Sequence, residues 1–136
     1  MSKLKIACII DDDPIFIFGL KKVMNSVDFA EEILVYKNGE DALENLIAIK
    51  NDKETLPEVI LLDLNMPIMD GWQFLDEFTQ VKVDKKITVY IVSSSIDPLD
   101  YEKTKKYNHI ENYIIKPVQT DDLKTILKTF KSQNEL

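Results

Sequence analysis

Five short apolar runs divide this chain of 136 residues, and their alternation with helical patterns limits the possible folds more than any other feature. Each run is rich in aliphatic, β-branched or aromatic residues, and each is followed by apolar residues that recur with a helical spacing. The predicted strands are residues 4–10, 32–36, 59–62, 87–92 and 112–115. Strands that alternate with helices are typical of βαβ units, so we expect an α/β fold with a parallel sheet.

The helices are predicted from apolar residues three, four and seven positions apart. The first begins near Pro14, which suits the first turn of a helix, and carries Leu20, Val23, Met24 and Val27. The other predicted helices lie at about 42–47, with Ile47 facing inward, and at 72–78, 98–107 and 121–130. The helix at 98–107 has only a thin apolar stripe, which indicates low local stability. We expect the polar tail 131–136 to be frayed.

The length and composition favour one domain over residues 1–136, with a core over about 4–130 and no output domain. A net charge of −7 argues against nucleic-acid binding, which needs a basic face. The single Cys8 cannot form an internal disulfide, which suits the cytoplasm. No apolar segment approaches transmembrane length, so we expect no membrane association.

Polar side chains follow four of the five predicted strands. Asp11–Asp13 follow the first strand, Asp63 the third, Ser93–Ser95 the fourth and Lys116 the fifth. In a parallel sheet the carboxyl ends of the strands share one edge, where ligands of open α/β sheets bind. A single such terminus is explained by turn chemistry, but four of complementary charge predict a functional site.

Electrostatics indicate what this site holds. Two carboxylates a few ångströms apart repel by about 4 kcal/mol at an effective dielectric of 20, and one lysine cannot offset three of them. Oxygen ligands favour Mg²⁺ over zinc or copper, and the lone His109 cannot build a zinc site. A carboxylate beside a metal, a lysine and a hydroxyl suits a phosphoryl group. Asp63 is then the nucleophile that forms an aspartyl phosphate, with Lys116 neutralising charge and Ser93 donating a hydrogen bond.

These motifs resemble the receiver domain of two-component response regulators along essentially the whole chain. The resemblance rests on Ile10-Asp11-Asp12, Leu62-Asp63-Leu64-Asn65-Met66-Pro67 with Asp70-Gly71, Val92-Ser93-Ser94, Tyr113 and Lys116-Pro117. It implies a doubly wound, flavodoxin-like (CheY-like) fold with five parallel strands in the order 2-1-3-4-5 and five helices. It also implies a cis Lys116–Pro117 bond.

The resemblance further implies a role for each matched residue. Asp63 is the phosphoacceptor, and Lys116 and Ser93 assist the transfer. Asp12, Asp63 and the backbone carbonyl of Asn65 are the ligands of Mg²⁺ (or Mn²⁺), and Asp11 acts through water. Ser93 and Tyr113 form the switch pair, while Asn65 and Ser95 tune hydrolysis of the phosphate. Asp13 falls outside the usual acid pair and is interpreted as a solvated or helix-start acid.

The implied function is phosphoryl acceptance from a histidine kinase or a histidine phosphotransfer protein. Phosphorylation then switches a partner-binding face of the fourth helix, fifth strand and fifth helix. Such a domain phosphorylates and dephosphorylates itself but is not a turnover enzyme. The connection 49–57 is longer than in the minimal chemotaxis type and resembles that of a subgroup of stand-alone receivers. Since some members of that subgroup dimerise, the resemblance is compatible with a monomer or a homodimer. Ile15, Ile17 and Phe18 are a candidate docking patch for the phosphodonor.

Three other functions are compatible with parts of this pattern. A phosphatase of the haloacid dehalogenase type places a second acid two residues after the nucleophile, where this chain has Asn65. A flavodoxin-like cofactor binder has a hydroxyl- and glycine-rich phosphate loop after the first strand, which this sequence does not have. A pseudo-receiver that is never phosphorylated lacks the acceptor, an acid or the lysine, all of which are present here.

Overall fold

The computed structural model describes residues 3–94 and 97–134. Strands and helices alternate along the chain. The strands are β1 (Leu4–Ile10), β2 (Ala30–Tyr36), β3 (Val59–Asp63), β4 (Thr88–Ser93) and β5 (Ile110–Ile115). The helices are α1 (Pro14–Ser26), α2 (Gly39–Ala48), α3 (Gly71–Phe78), α4 (Pro98–Thr104) and α5 (Thr120–Asn134). No helix in the described ranges is long and apolar enough to span a membrane.

The strands form one parallel sheet in the order β2-β1-β3-β4-β5, as the resemblance implied. The central strand β3 is buried along its whole length, which explains its continuous apolar run. The chain order reverses beside β1, so the edge formed by the carboxyl ends of β1 and β3 is the topological switch point where ligands bind in such sheets.

Two apolar layers cover the two faces of the sheet. One contains α1 and α5, with Leu20, Met24, Leu123 and Ile126 packed against the sheet. The other contains α2 and α3, with Leu46, Phe74 and Phe78 among its buried residues. The helical spacing of these residues predicted this burial.

Several predicted boundaries differ from the structure. β2 begins at Ala30 and β5 at Ile110, both two residues earlier than predicted, since Ala30 pairs with Leu4 and Ile110 with Val89. Helix α4 ends at Thr104 instead of Tyr107. Ile47 was wrongly predicted to face inward and is 38% exposed.

The tail was also wrongly predicted to fray from residue 131. Helix α5 continues to Asn134. The Gln133 side chain donates a hydrogen bond to Glu111, and the Asn134 side chain donates one to the Phe130 carbonyl. These two hydrogen bonds hold the last turn of α5 in place, although that turn has no apolar residue to pack against the domain.

Candidate functional site

Three carboxylates meet at the carboxyl edge of the sheet. Asp11 follows β1 and is 2% exposed, while Asp63 ends β3 and is 5% exposed. Asp12 is exposed beside them, and one oxygen from each of the three lies within 4.8 Å of the others. The sequence predicted this convergence from the parallel arrangement of the strands.

The acid cluster fits a hard cation. Oδ2 of Asp11 is buried and receives no hydrogen bond from the described residues. The Lys116 ammonium lies 2.9 Å away, but it is not aligned to donate one. A buried, partly uncompensated carboxylate oxygen in an all-oxygen cluster is a good ligand environment for Mg²⁺ or Mn²⁺.

Lys116 stands over this cluster at the end of β5. Its Nζ is 2.9 Å from Asp11 Oδ2 and 3.8 Å from Asp63 Oδ1. The backbone is fixed, because the Lys116 N–H donates a 2.8 Å hydrogen bond to the Ser93 carbonyl. The Lys116–Pro117 peptide bond is cis, as the resemblance implied.

The surroundings of Asp63 raise the pKa of its carboxyl group. Burial, followed by the negative charge of Asp11, raises the pKa of Asp63 to about 6 from an ordinary 3.8. Lys116 opposes this rise, and so does the Asn65 N–H, which donates a 3.4 Å hydrogen bond to Asp63 Oδ1. The ionised form of Asp63 is therefore disfavoured relative to that of an ordinary carboxylate, and a cation at this cluster would relieve that cost.

Of the remaining predicted residues, those that the structure describes lie at the same edge or near it. Ser93 is buried at the end of β4, one residue beyond the partner of Asp63. Asn65 is exposed in the loop after Asp63. Tyr113 on β5 is half-buried and packs against the layer of α2 and α3. Ser95 lies outside the described residues.

Local sequence explains why the loops hold this geometry. Asp13 caps α1, since its carboxylate accepts hydrogen bonds from the N–H groups of Ile15 and Phe16. The Asp13 N–H in turn donates a 2.9 Å hydrogen bond to Asp11 Oδ1, which ties the cap to the site. The interpretation of Asp13 as a helix-start acid is confirmed.

The loop after β3 depends on a glycine. A Cβ atom at Gly71 would lie 2.6 Å from the Asp63 carbonyl oxygen and 2.9 Å from Leu64 Cα. Glycine therefore lets α3 begin directly against the backbone that carries Asp63. Asp70 and Gln73 complete this start as a capping box.

Two contacts at or near the sheet edges were not foreseen from the sequence. The Phe16 ring lies beneath the Lys116 ammonium, 4.2 Å from Nζ to the ring centroid. At the opposite edge, Glu58 accepts hydrogen bonds from the backbone N–H groups of Lys5 and Ile6 and from the Lys85 ammonium. Phe16 lies one turn before Leu20 on the apolar stripe predicted for α1, but this spacing does not identify Lys116 as its partner.

A buried carboxylate, two flanking acids and a lysine at the switch point of a five-stranded parallel sheet are the arrangement that the motif resemblance implied for a receiver domain. The sequence profile of the response regulator receiver domain matches residues 7–128. The chain belongs to this family, as its motifs predicted.

Solved structures support the assignment. The chain is 29% identical to a two-component response regulator from Cytophaga hutchinsonii, with a TM-score of 0.84 over 98% of this chain and 100% of that one. It is 25% identical to a two-component response regulator from Legionella pneumophila, with a TM-score of 0.79 over 96% and 99% of the two chains.

Curated relatives differ in length. The probable methanogenesis regulatory protein FilR2 of Methanothrix harundinacea is 25% identical over 93% of this chain and 81% of its own length. The nitrate/nitrite response regulator NarL of Escherichia coli K12 is 30% identical over 85% of this chain. The chain matches only 49% of NarL, so the similarity concerns the receiver domain.

Proposed function

We propose that Asp63 accepts a phosphoryl group from a histidine kinase or a histidine phosphotransfer protein. The observation that carries this proposal is the position of Asp63, which is buried within 4.8 Å of two other acids and 3.8 Å from Lys116. A carboxylate that only supported the fold would gain nothing from two neighbours of the same charge. The geometry suits a nucleophile whose charge is balanced by a cation and a lysine.

The transfer begins with attack of an Asp63 oxygen on the phosphorus of the phosphohistidine. The P–N bond breaks, the imidazole nitrogen keeps the electron pair and takes a proton from solvent, and an acyl phosphate forms. Lys116 neutralises charge on the phosphoryl oxygens, and Ser93 donates a hydrogen bond to one of them. Hydrolysis reverses the modification when water attacks the phosphorus and orthophosphate leaves.

Asp12, Asp63 and the backbone carbonyl of Asn65 would hold Mg²⁺ or Mn²⁺, with Asp11 acting through a water molecule. The bound ion would neutralise the phosphoryl oxygens and keep the acids at close range. Asn65 and Ser95 are the proposed positions that tune the lifetime of the acyl phosphate.

The output of this reaction is a change in partner binding. Ser93 and Tyr113 are the proposed switch residues, because Ser93 pairs with Ile115 of β5 and Tyr113 lies on β5, which belongs to the responding face with α4 and α5. Neither DNA binding nor membrane binding is part of this proposal, and we place the reaction in the cytoplasm. The downstream partner is a protein that distinguishes the two states of the face.

The phosphodonor is proposed to dock on the first turns of α1. Ile15 is 82% exposed and Phe18 is 61% exposed, and both follow within a few residues of Asp12. Large apolar side chains that are exposed beside a reactive centre are typical of a contact surface. Ile17 is half-buried and packs against the layer of α1 and α5, so it contributes less to this patch than the sequence suggested.

The first experiment measures the intact mass of the protein after incubation with acetyl phosphate and Mg²⁺. Wild type is expected to gain one phosphoryl group that requires Mg²⁺, and Asp63→Asn to gain none. Asp13→Asn is the matched control, because asparagine also caps a helix and the proposal gives Asp13 no part in the transfer. Absence of both the adduct and Mg²⁺ binding in wild type would assign the chain to the pseudo-receivers.

Docking is tested separately with Phe18→Ala. Transfer from a phosphorylated histidine kinase or phosphotransfer protein is expected to slow about tenfold, as for an interface anchor. Phosphorylation by acetyl phosphate should be unchanged, since the small donor needs no docking surface. Equal rates of protein-to-protein transfer for Phe18→Ala and wild type would remove Phe18 from the docking patch.

A further inference from the structure

The aromatic ring of Phe16 forms one wall of the pocket that holds the Lys116 ammonium. Nζ lies 4.2 Å from the ring centroid, within the range of a cation–π contact. The same Nζ is 2.9 Å from Asp11 Oδ2, and the Lys116 side chain is only 17% exposed. The ammonium thus stands between an acid and the face of a ring.

The ring is held in place from two directions. Phe16 lies in the first turn of α1, where its N–H donates to the Asp13 carboxylate that caps the helix. Its side chain is half-buried and packs against the layer of α1 and α5. Since Asp13 is also tied to Asp11, the cap, the ring and the acid that contacts Lys116 belong to one short segment.

An aromatic face affects a lysine differently from a polar neighbour. The ring attracts the ammonium through its quadrupole but accepts no conventional hydrogen bond, so the N–H groups stay available to oxygen atoms. It also excludes water from one side of the amine. The Lys116 ammonium can therefore donate hydrogen bonds to the oxygens of an incoming phosphoryl group.

We propose that Phe16 is a positioning residue for phosphoryl transfer, and that its ring holds the Lys116 ammonium over Asp63 in the orientation that meets the phosphoryl oxygens. This inference rests on the proposed function of Asp63. It assigns to α1 a contribution to the chemistry in addition to phosphodonor docking. Phe16 acts through Lys116 and does not itself touch the reacting atoms.

A purely structural role predicts different results. If Phe16 only filled the apolar layer, any apolar side chain of similar size would support the same phosphorylation rate. If the ring positions Lys116, the rate depends on the aromatic face and not on apolar volume. Substitutions that separate these two properties therefore decide between the two roles.

The test measures the rate of phosphorylation by acetyl phosphate at saturating Mg²⁺ for wild type, Phe16→Leu and Phe16→Tyr. Phe16→Leu is expected to be about fivefold slower, and Phe16→Tyr to stay within about twofold of wild type. Phe130→Leu is the matched control, because Phe130 is also a half-buried ring packed against the layer of α1 and α5. It should keep the wild-type rate even if it loses stability.

A second measurement needs no phosphorylation. In the metal-free protein the ring current of Phe16 should shift the Lys116 Cε protons upfield, an NMR signal that is lost in Phe16→Leu and kept in Phe16→Tyr. If Phe16→Leu does not fold, Phe16→Met replaces it, since methionine adapts to the same space without an aromatic ring.

The outcomes separate the two proposals. A wild-type rate for Phe16→Leu, or a Phe16→Tyr variant as slow as Phe16→Leu, would overturn the role of Phe16 and leave the phosphoacceptor intact. An absence of adduct on wild type would instead overturn the function of Asp63.

Discussion

The indole N–H of Trp72 on α3 donates a 3.1 Å hydrogen bond to the carboxylate of Asp100 on α4. The same indole stacks on Tyr107 at 5.8 Å between ring centroids, and the Lys103 ammonium lies 4.9 Å from its ring. The Tyr107 hydroxyl in turn donates to Asp76 on α3. These five residues form what we term the α3–α4 clasp, which attaches α4 to the domain through polar and aromatic contacts.

Removing one hydrogen bond of the clasp should loosen α4. Trp72→Phe keeps an aromatic ring but loses the donor to Asp100, and a net hydrogen bond contributes about 1 kcal/mol. We expect the amides of α4 to exchange with deuterium about fivefold faster, while those of β1 and β3 are unchanged. Tyr107→Phe, which loses the donor to Asp76, should act in the same direction. Unchanged exchange in both variants would show that the clasp does not hold α4.

The ionisation of Asp63 should cost stability in the metal-free protein. Because its folded pKa of about 6 lies above the ordinary 3.8, the folded state keeps the proton to higher pH than the unfolded chain. The cost is therefore absent at low pH, grows as the pH rises between those values, and is complete above pH 6. Asp63→Asn avoids it and should be about 1 kcal/mol more stable at pH 7, because solvent screening reduces the full effect.

Urea unfolding with a chelator, from pH 4.5 to pH 8, measures this difference. The gap between Asp63→Asn and wild type should widen up to about pH 6 and then stay constant. Added Mg²⁺ should narrow the gap, since binding to the folded state stabilises wild type. A gap that is independent of pH would contradict the raised pKa.

Gly71→Ala should damage both the fold and the site. The added Cβ would meet the Asp63 carbonyl oxygen at 2.6 Å, so the start of α3 must move away from β3. We expect a loss of about 2 kcal/mol in unfolding free energy and a slower reaction with acetyl phosphate. Gly19→Ala on α1 is the control, because nothing lies within 4 Å of its Cβ position. There alanine should stabilise the helix by about 0.5–1 kcal/mol.

Ile68 adopts a backbone conformation that β-branched residues rarely occupy. Its φ is 70° in the loop after β3, and its side chain is 73% exposed. Ile68→Gly should raise the unfolding free energy by about 1 kcal/mol, because relief of strain exceeds the extra chain entropy of glycine. Ile15→Ala, which removes an exposed isoleucine without a strained backbone, should change stability by less than about 0.5 kcal/mol. A lower stability of Ile68→Gly would show that the loop is not strained.

Apolar periodicity was sufficient to predict the alternation of strands and helices, because it distinguishes buried strands from amphipathic helices. The order of the strands in the sheet came from the resemblance to receiver domains. The ends of the strands were predicted less accurately, because pairing with a strand that is distant in the sequence decides where a strand begins. Residues 30–31 and 110–111 are strand only because β1 and β4 lie beside them. The end of α5 was missed for a similar reason, since its last turn is supported by the Gln133 contact with Glu111.

The functional site, like the fold, could be predicted from the sequence only in part. The convergence of Asp11, Asp63 and Lys116 follows from one rule, that the carboxyl ends of parallel strands lie at one edge of the sheet. Because each of these residues follows or ends a predicted strand, their positions in the sequence were enough to predict that they meet. The contact of Phe16 with Lys116 depends on the direction of a side chain in the first turn of α1. The apolar spacing places Phe16 on the inward stripe of α1, but it does not specify that the ring meets the end of β5.

The seven residues of α4, all of them described, include none that is fully buried, and Leu99 is 80% exposed. Release of α4 from the α3–α4 clasp would therefore expose little apolar surface. Since the heat-capacity change of a transition scales with the apolar area it exposes, this local opening should have a small heat-capacity change. Global unfolding follows a strongly curved dependence on temperature, whereas the free energy of this local opening should change almost linearly with temperature.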